Sequence, residues 1–296
     1  MWSYGLMMVV LTCAVFWLTI RPARHYWREC YTNVGVVIAV YPLVTISAFL
    51  VLVVPRARIL GEAVAQMAVM IAMYHLYCMM IAEGGGPENL VRRAGGARME
   101  TRVLPCCCWP CCVIPKPKLE TRYLTWIRYL VMQMPVVQAL LYIIMLVLWA
   151  EDINLYLNSY FYMQPFIVAS ILLGVWGTIM CVRVLESAGF TPRPRFLALQ
   201  LVLLVVNLQC GLAKALPKFM TLPCIMSLHP SVVVHMIQNI IMMLEMLLLS
   251  LWAMWLYCQP PGKVSEKVQV VITVSGDSHI KEDIDKSIVH NTDIKM

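Results

Sequence analysis

Charge is what this 296-residue sequence has least of: Asp, Glu, Lys and Arg together make up 13% of it, about half the share usual in soluble domains. That scarcity excludes a disordered chain, a collagen-like chain and a nucleic-acid-binding protein. No charged residue occurs among the first twenty positions. A cleaved signal peptide carries its positive charge before the apolar region, whereas here Arg21, Arg24 and Arg28 come after it. Catalytic signatures are missing as well. Glu83-Gly-Gly-Gly-Pro87 lacks the Lys-Ser/Thr of a phosphate-binding loop, and no Gly-x-Ser-x-Gly or His-Glu-x-x-His is present. The sequence is therefore expected to be neither an enzyme nor a cofactor carrier. It also has no Asn-x-Ser/Thr glycosylation site.

What is abundant is apolar: 61% of residues are hydrophobic and the mean hydropathy is +0.75. A water-soluble fold with this surplus would expose large apolar patches; a chain solvated by lipid would not be penalised for them. A bilayer core of about 30 Å takes roughly 20 residues of helix. Seven stretches satisfy that: Trp2–Ile20, Gly35–Val54, Ala63–Ala82, Leu124–Ala150, Tyr162–Val182, Phe196–Leu216 and Ser231–Cys258. They are too long and too continuously apolar for barrel strands, so the fold class is an all-α membrane protein with seven transmembrane helices.

Basic residues orient it. Eighteen of the 23 Lys and Arg lie in the loop after the first span, in the 83–123 loop, in the loop after the fifth span and in the 259–296 tail. The positive-inside rule places those segments in the cytosol. The N-terminus is then extracellular, the C-terminus cytosolic, and Glu151 and Asp152 fall in an outer loop. The tail opens with Pro260-Pro261-Gly262, continues through a β-prone Val268–Val274 and ends in a charged stretch expected to be partly disordered.

Five of the twelve cysteines form Pro105-Cys-Cys-Cys-Trp-Pro-Cys-Cys-Val113 in the 83–123 loop. A cytosolic position argues against disulfides. A zinc site would need a second ligand pair at suitable spacing, and none follows. S-acylation of Cys106, Cys107, Cys108, Cys111 and Cys112 is favoured over metal binding and over simple packing against the membrane. Each buried CH₂ would add about 0.8 kcal/mol of membrane affinity.

This run, together with Glu83-Gly-Gly-Gly after the third span, resembles the organic solute transporter alpha subunit family. The likeness extends to Pro55-Arg56 before the third span, Glu62 entering it, Phe196, Gln200 and Gln209 in the sixth, and Glu245 in the seventh. It differs in the Trp109 that interrupts the cysteines. The resemblance implies a facilitative carrier in the cell membrane for amphipathic organic anions such as sterol or bile-acid-like conjugates. It also implies work beside a separate single-span beta subunit; a homo-oligomer is the other assembly considered. Part of the wider family is tied to membrane organisation and trafficking, which makes a scaffold held by an acylated loop the alternative. A seven-helix receptor shares the topology, but Asp-Arg-Tyr after the third span and Asn-Pro-x-x-Tyr in the seventh are both missing.

Polar groups within lipid are costly and usually face a bundle interior or a wet path. In the sixth span Gln200, Asn207 and Lys214 recur every seven residues and form one stripe, with Gln209 on the opposite face. In the seventh, His235, Gln238, Asn239 and Glu245 fall within an arc of roughly 120°. Glu62 and Gln66 share a face of the third span, with His75 nearly opposite. These residues are candidates for a transport pathway between the sixth and seventh spans. Its charged members would be Glu245 and Lys214, with Glu245 either protonated or paired with a lysine. Hydrogen bonding that merely holds the helices together is the competing account. Pro135 and Pro165 are candidate kink sites. The 22 methionines suit a shape-tolerant path, and lipid-facing packing accounts for them equally well.

Overall fold

A computed structural model describes residues 2–94, 99, 118–219 and 230–259. Among these residues the secondary structure is helical, and seven helices are long and apolar enough to cross a membrane. They are α1 (Trp2–Tyr26), α2 (Tyr31–Val53), α3 (Arg58–Glu83), α4 (Thr121–Glu151), α5 (Ile153–Ser187), α6 (Arg193–Phe219) and α7 (Pro230–Tyr257). The seven apolar stretches of the sequence correspond one to one with them. Most helices run past the apolar stretches into charged residues at their ends, because a helix outlasts the hydrocarbon wherever its backbone bonds stay satisfied. The cysteine run and the tail, with Cys106, Cys107, Cys108, Cys111, Cys112 and Val268–Val274, lie outside the described residues.

The centre of the bundle is the α2–α3 pair. α7 lies against α1, α2 and α6, while α3 also contacts α4, α5 and α6. Close helix approach depends on small residues, as is usual where lipid removes the hydrophobic drive to associate. A Cβ on Gly61 of α3 would overlap the Val51 side chain of α2, and one on Gly174 of α5 would overlap Met134 of α4. Methionine fills the gaps from inside: Met70, Met73, Met79 and Met80 of α3 and Met243 and Met246 of α7 are fully buried. Interior packing thus takes up much of the methionine surplus. Outward faces are apolar in helical register, as in Ile237, Ile241, Leu244, Leu248, Leu251 and Trp255 of α7, which is the pattern of a lipid-facing stripe.

Two details bear on the sequence expectations. α4 and α5 are separated by Asp152 alone, so the expected outer loop at Glu151 and Asp152 is a one-residue break. Pro135 and Pro165 sit inside continuous helices. After α3 the glycines have a backbone task. Gly84 and Gly86 donate to Met80 and Ile81 carbonyls at 3.2 and 3.0 Å, and Gly85 and Gly86 take positive φ of 77° and 93°. That closes α3 and starts the short helix Pro87–Arg93, with Pro at a position where its missing N–H costs nothing.

Candidate functional site

The polar residues of α3, α6 and α7 meet at the end of the bundle where α2 turns into α3. Glu62 lies one turn inside α3, and its carboxylate accepts a hydrogen bond and ion pair from Lys214 Nζ of α6. Both side chains are largely shielded, at 11% and 19% exposure. Tyr160 of α5 places its ring 4.2 Å from the same ammonium, a cation–π contact strengthened by desolvation. One turn further along α3, Gln66 Nε2 donates to Asn207 Oδ1 at 3.2 Å, while Asn207 Nδ2 donates to its own helix at Leu203 O, 2.8 Å. The heptad spacing of Asn207 and Lys214 therefore turns both toward α3.

α7 supplies the other wall. His235 Nδ1 lies 3.0 Å from Gln238 Oε1, Gln238 Nε2 contacts Cys210 Sγ of α6 at 3.6 Å, and Asn239 Nδ2 donates to His235 O at 2.7 Å. Between these helices is a cavity of about 30 Å³ lined by Glu62, Lys214, Cys210, His235, Gln238 and Asn239, with Arg58 and Gly61 of α3 and Ser47 of α2. It is large enough for one or two waters. A wider vestibule of about 180 Å³ is bounded by Pro55, Arg56, Arg58, Ile59, Trp149, Val232 and Met236, and shares Val51, Arg58, His235 and Asn239 with the inner cavity. Drug-sized ligands occupy pockets of about 300 Å³ or more, so neither space encloses a bulky substrate in this conformation.

Six of the eight candidates come together here: Glu62, Asn207, Lys214, His235, Gln238 and Asn239. Asn207 meets α3 at Gln66 without lining the cavity itself, and the other two candidates stand apart. Glu245 takes a hydrogen bond from Gln209 Nε2 of α6, and Lys214 is engaged by Glu62 instead of Glu245. The reason is register. The α6 face that carries Lys214 points at α3, so α7 receives the opposite face, which carries Gln209. Gln200 also lies off the cavity, with its buried Oε1 lacking a partner among the described residues. His75 bonds Asn33 of α2 at 2.9 Å. Sequence reasoning passed over Arg58 and Cys210; for Arg58 the signal was a cation one turn before Glu62.

A second ion pair joins the same two helices at their other end. Arg195 Nη1 of α6 lies 2.7 Å from Glu83 Oε2 of α3, and the guanidinium carbon sits 4.2 Å from the Trp27 ring. Trp27 Nε1 in turn donates to Tyr257 O at 3.3 Å. Among the described residues no group of three or more His, Cys, Asp or Glu could hold a metal ion.

Comparison with known proteins gives one consistent result. The sequence model described as "Organic solute transporter Ostalpha" matches residues 1–263. The chain is 26% identical to an organic solute transporter alpha-like protein of Drosophila melanogaster, over 86% of this chain and 78% of that one. It is 24% identical to the organic solute transporter subunit alpha of Danio rerio, over 79% and 76% respectively. An organic solute transporter alpha-like protein 2 of Caenorhabditis elegans matches at 25% identity over 46% of this chain and 40% of its own length. No solved structure matches.

Proposed function

The chain belongs to the organic solute transporter alpha family, and on that premise we propose that it is a multi-pass cell-membrane carrier, or carrier subunit, for amphipathic organic anions such as sterol or bile-acid-like conjugates. The observation that carries this reading is the Glu62–Lys214 pair beside a cavity within the membrane-spanning bundle. A helix bundle that needed only packing would gain from apolar residues at both positions, because a buried ion pair is often no more stable than its hydrophobic replacement. A pair bordering a wet space has a further use. Lys214 can release Glu62 and meet an anionic head group, and Glu62 restores the closed state when the anion leaves. His235, Gln238 and Asn239 line the same route, while Glu245 and Gln200 are assigned to the helix contacts that flank it.

The zebrafish relative is named as a subunit, which supports a second, single-span beta chain as partner here, with a homo-oligomer as the other assembly. Cys106, Cys107, Cys108, Cys111 and Cys112 are proposed S-acylation sites, to be read by acyl–biotin exchange. The N-terminus is placed outside and the tail inside. An epitope after Met296 that stains unpermeabilised cells would overturn that orientation.

Uptake of labelled steroid sulfate or taurocholate into proteoliposomes, with and without a candidate beta partner, tests the function. Uptake that falls to background in Lys214→Met, with the protein still folded, is the expected result. No uptake by the intact chain under either condition, with surface delivery dependent on the cysteines, would replace the carrier with a trafficking scaffold.

A further inference from the structure

We propose that the vestibule between the α2–α3 turn, the end of α4 and the start of α7 binds the oxyanion head group of an amphipathic anion, with Arg58 as the residue that takes its charge. The proposal deepens the carrier reading and rests on it. Arg56 and Arg58 both line the vestibule, no acidic residue does, and among the described residues neither arginine has an ion-pair partner. The nearest carboxylate on the route inward is Glu62, and it is held by Lys214. A guanidinium left without a carboxylate at the edge of an apolar bundle is a strong receptor for sulfonate, sulfate, carboxylate or phosphate, since it offers a fork of donors that such groups accept in pairs.

Arg58 differs from Arg56 in position. It borders both the vestibule and the inner cavity, whereas Arg56 borders the vestibule alone and is exposed. Arg56 therefore attracts the anion and Arg58 holds it at the threshold of Lys214. His235 and Asn239 border both spaces as well, and they add hydrogen-bonding groups on the far wall. The remaining lining is apolar: Val51, Ile59, Trp149, Val232 and Met236. A volume of about 180 Å³ takes a head group with a short linker but not a ring system. The apolar body then lies outward along Trp149, which is itself partly exposed. An anion with a hydrophobic body fits this division; a small inorganic anion would leave the apolar wall wet.

Two sources offer this chemistry: a free organic anion and the phosphate of an anionic lipid. The experiment uses the full chain in nanodiscs, as wild type, Arg58→Gln and Arg58→Lys. In phosphatidylcholine nanodiscs, binding of a radiolabelled steroid sulfate and of its uncharged parent steroid is measured. In a second arm, phosphatidylglycerol retained by the purified protein is quantified. Arg58→Gln is expected to weaken steroid sulfate binding about tenfold or more, the usual scale for losing a charge-assisted hydrogen bond. Arg58→Lys should recover part of it, and the parent steroid should bind all three proteins alike. If the variant instead changes only phosphatidylglycerol retention, the site reads a lipid head group. If Arg58→Gln alters neither, or lowers sulfate and parent steroid equally, the site is overturned. Melting temperature and elution unchanged from wild type exclude misfolding, and the Lys variant provides the same check on function. The outcome separates from the carrier reading because equilibrium binding needs no uptake. Binding that depends on Arg58 without transport sinks the carrier alone; uptake with a KM unaffected by Arg58→Gln sinks the site alone.

Discussion

The two ends of the α3–α6 pair are built from the same chemistry and differ in what surrounds it. Glu83–Arg195 and Glu62–Lys214 are each an acid on α3 and a base on α6. They stand about 30 Å apart along the helices at 1.5 Å per residue, close to the thickness of the hydrocarbon core. Around Glu83–Arg195 the described neighbours are aromatic. Trp27 stacks on the guanidinium, and Tyr257 is buried against Trp27. Around Glu62–Lys214 there is room for water and an opening toward the vestibule. The lesson is that one pair can serve as a fastener and its counterpart as a latch, with the difference set by neighbours rather than by the charges.

That contrast can be broken experimentally, and the packed end should suffer most. Arg195→Ala strands Glu83 in an aromatic-lined corner. It is expected to lower folding stability by about 3–5 kcal/mol, seen as a large fall in melting temperature in detergent and poor surface delivery. Lys214→Met should cost less, about 1–2 kcal/mol, because water in the cavity can solvate the stranded Glu62; the same thermal assay gives the comparison. Exchanging the partners, Glu62→Lys with Lys214→Glu, should recover most of that stability. Equal losses at both ends would remove the distinction between fastener and latch. Gly61→Ala sharpens it further. The added methyl pushes on Val51, costs about 1 kcal/mol, and should reduce uptake more than a comparable change at Gly174, away from the cavity. The smallest effect is expected at Glu245. Replacing it by Leu removes a carboxylate whose hydrogen-bond partner among the described residues is Gln209, so stability should stay level or rise while uptake persists. Loss of uptake in that variant would return Glu245 to the pathway.

The sequence made the spans legible because lipid imposes a length and a composition that few other constraints mimic. The α6 stripe was legible for a similar reason: a seven-residue repeat on a helix marks one face whatever that face meets. What it meets was not legible. Lys214 pairs with Glu62 across 152 positions, and that depends on which helix sits opposite, a matter of bundle order that periodicity on a single helix does not encode. The same limit explains why the partners of Glu245 and Lys214 were not legible. Each was placed on a polar face, but α6 has two polar faces and α7 meets the one bearing Gln209. The Glu83–Arg195 contact went unread although both residues fall at helix ends on the side expected to be cytosolic. Charges there are normally credited to orientation, and nothing local distinguishes one that is buried.

The α4–α5 hairpin has a consequence for how the protein meets a bilayer. From Asn158, where its apolar span begins, to Val182, α5 carries no charged side chain, a run of about 38 Å at 1.5 Å per residue. Its partner α4 is uncharged from Tyr129 to Ala150, about 33 Å by the same measure. With Asp152 as the single residue between them, the two helices cannot adjust their lengths independently at the turn. A thin bilayer of about 27 Å would have to stretch or force the hairpin to lean, whereas a sterol-rich one of about 32–33 Å leaves less to accommodate. The hairpin thus couples the two helices, so that a change in membrane thickness tilts both together.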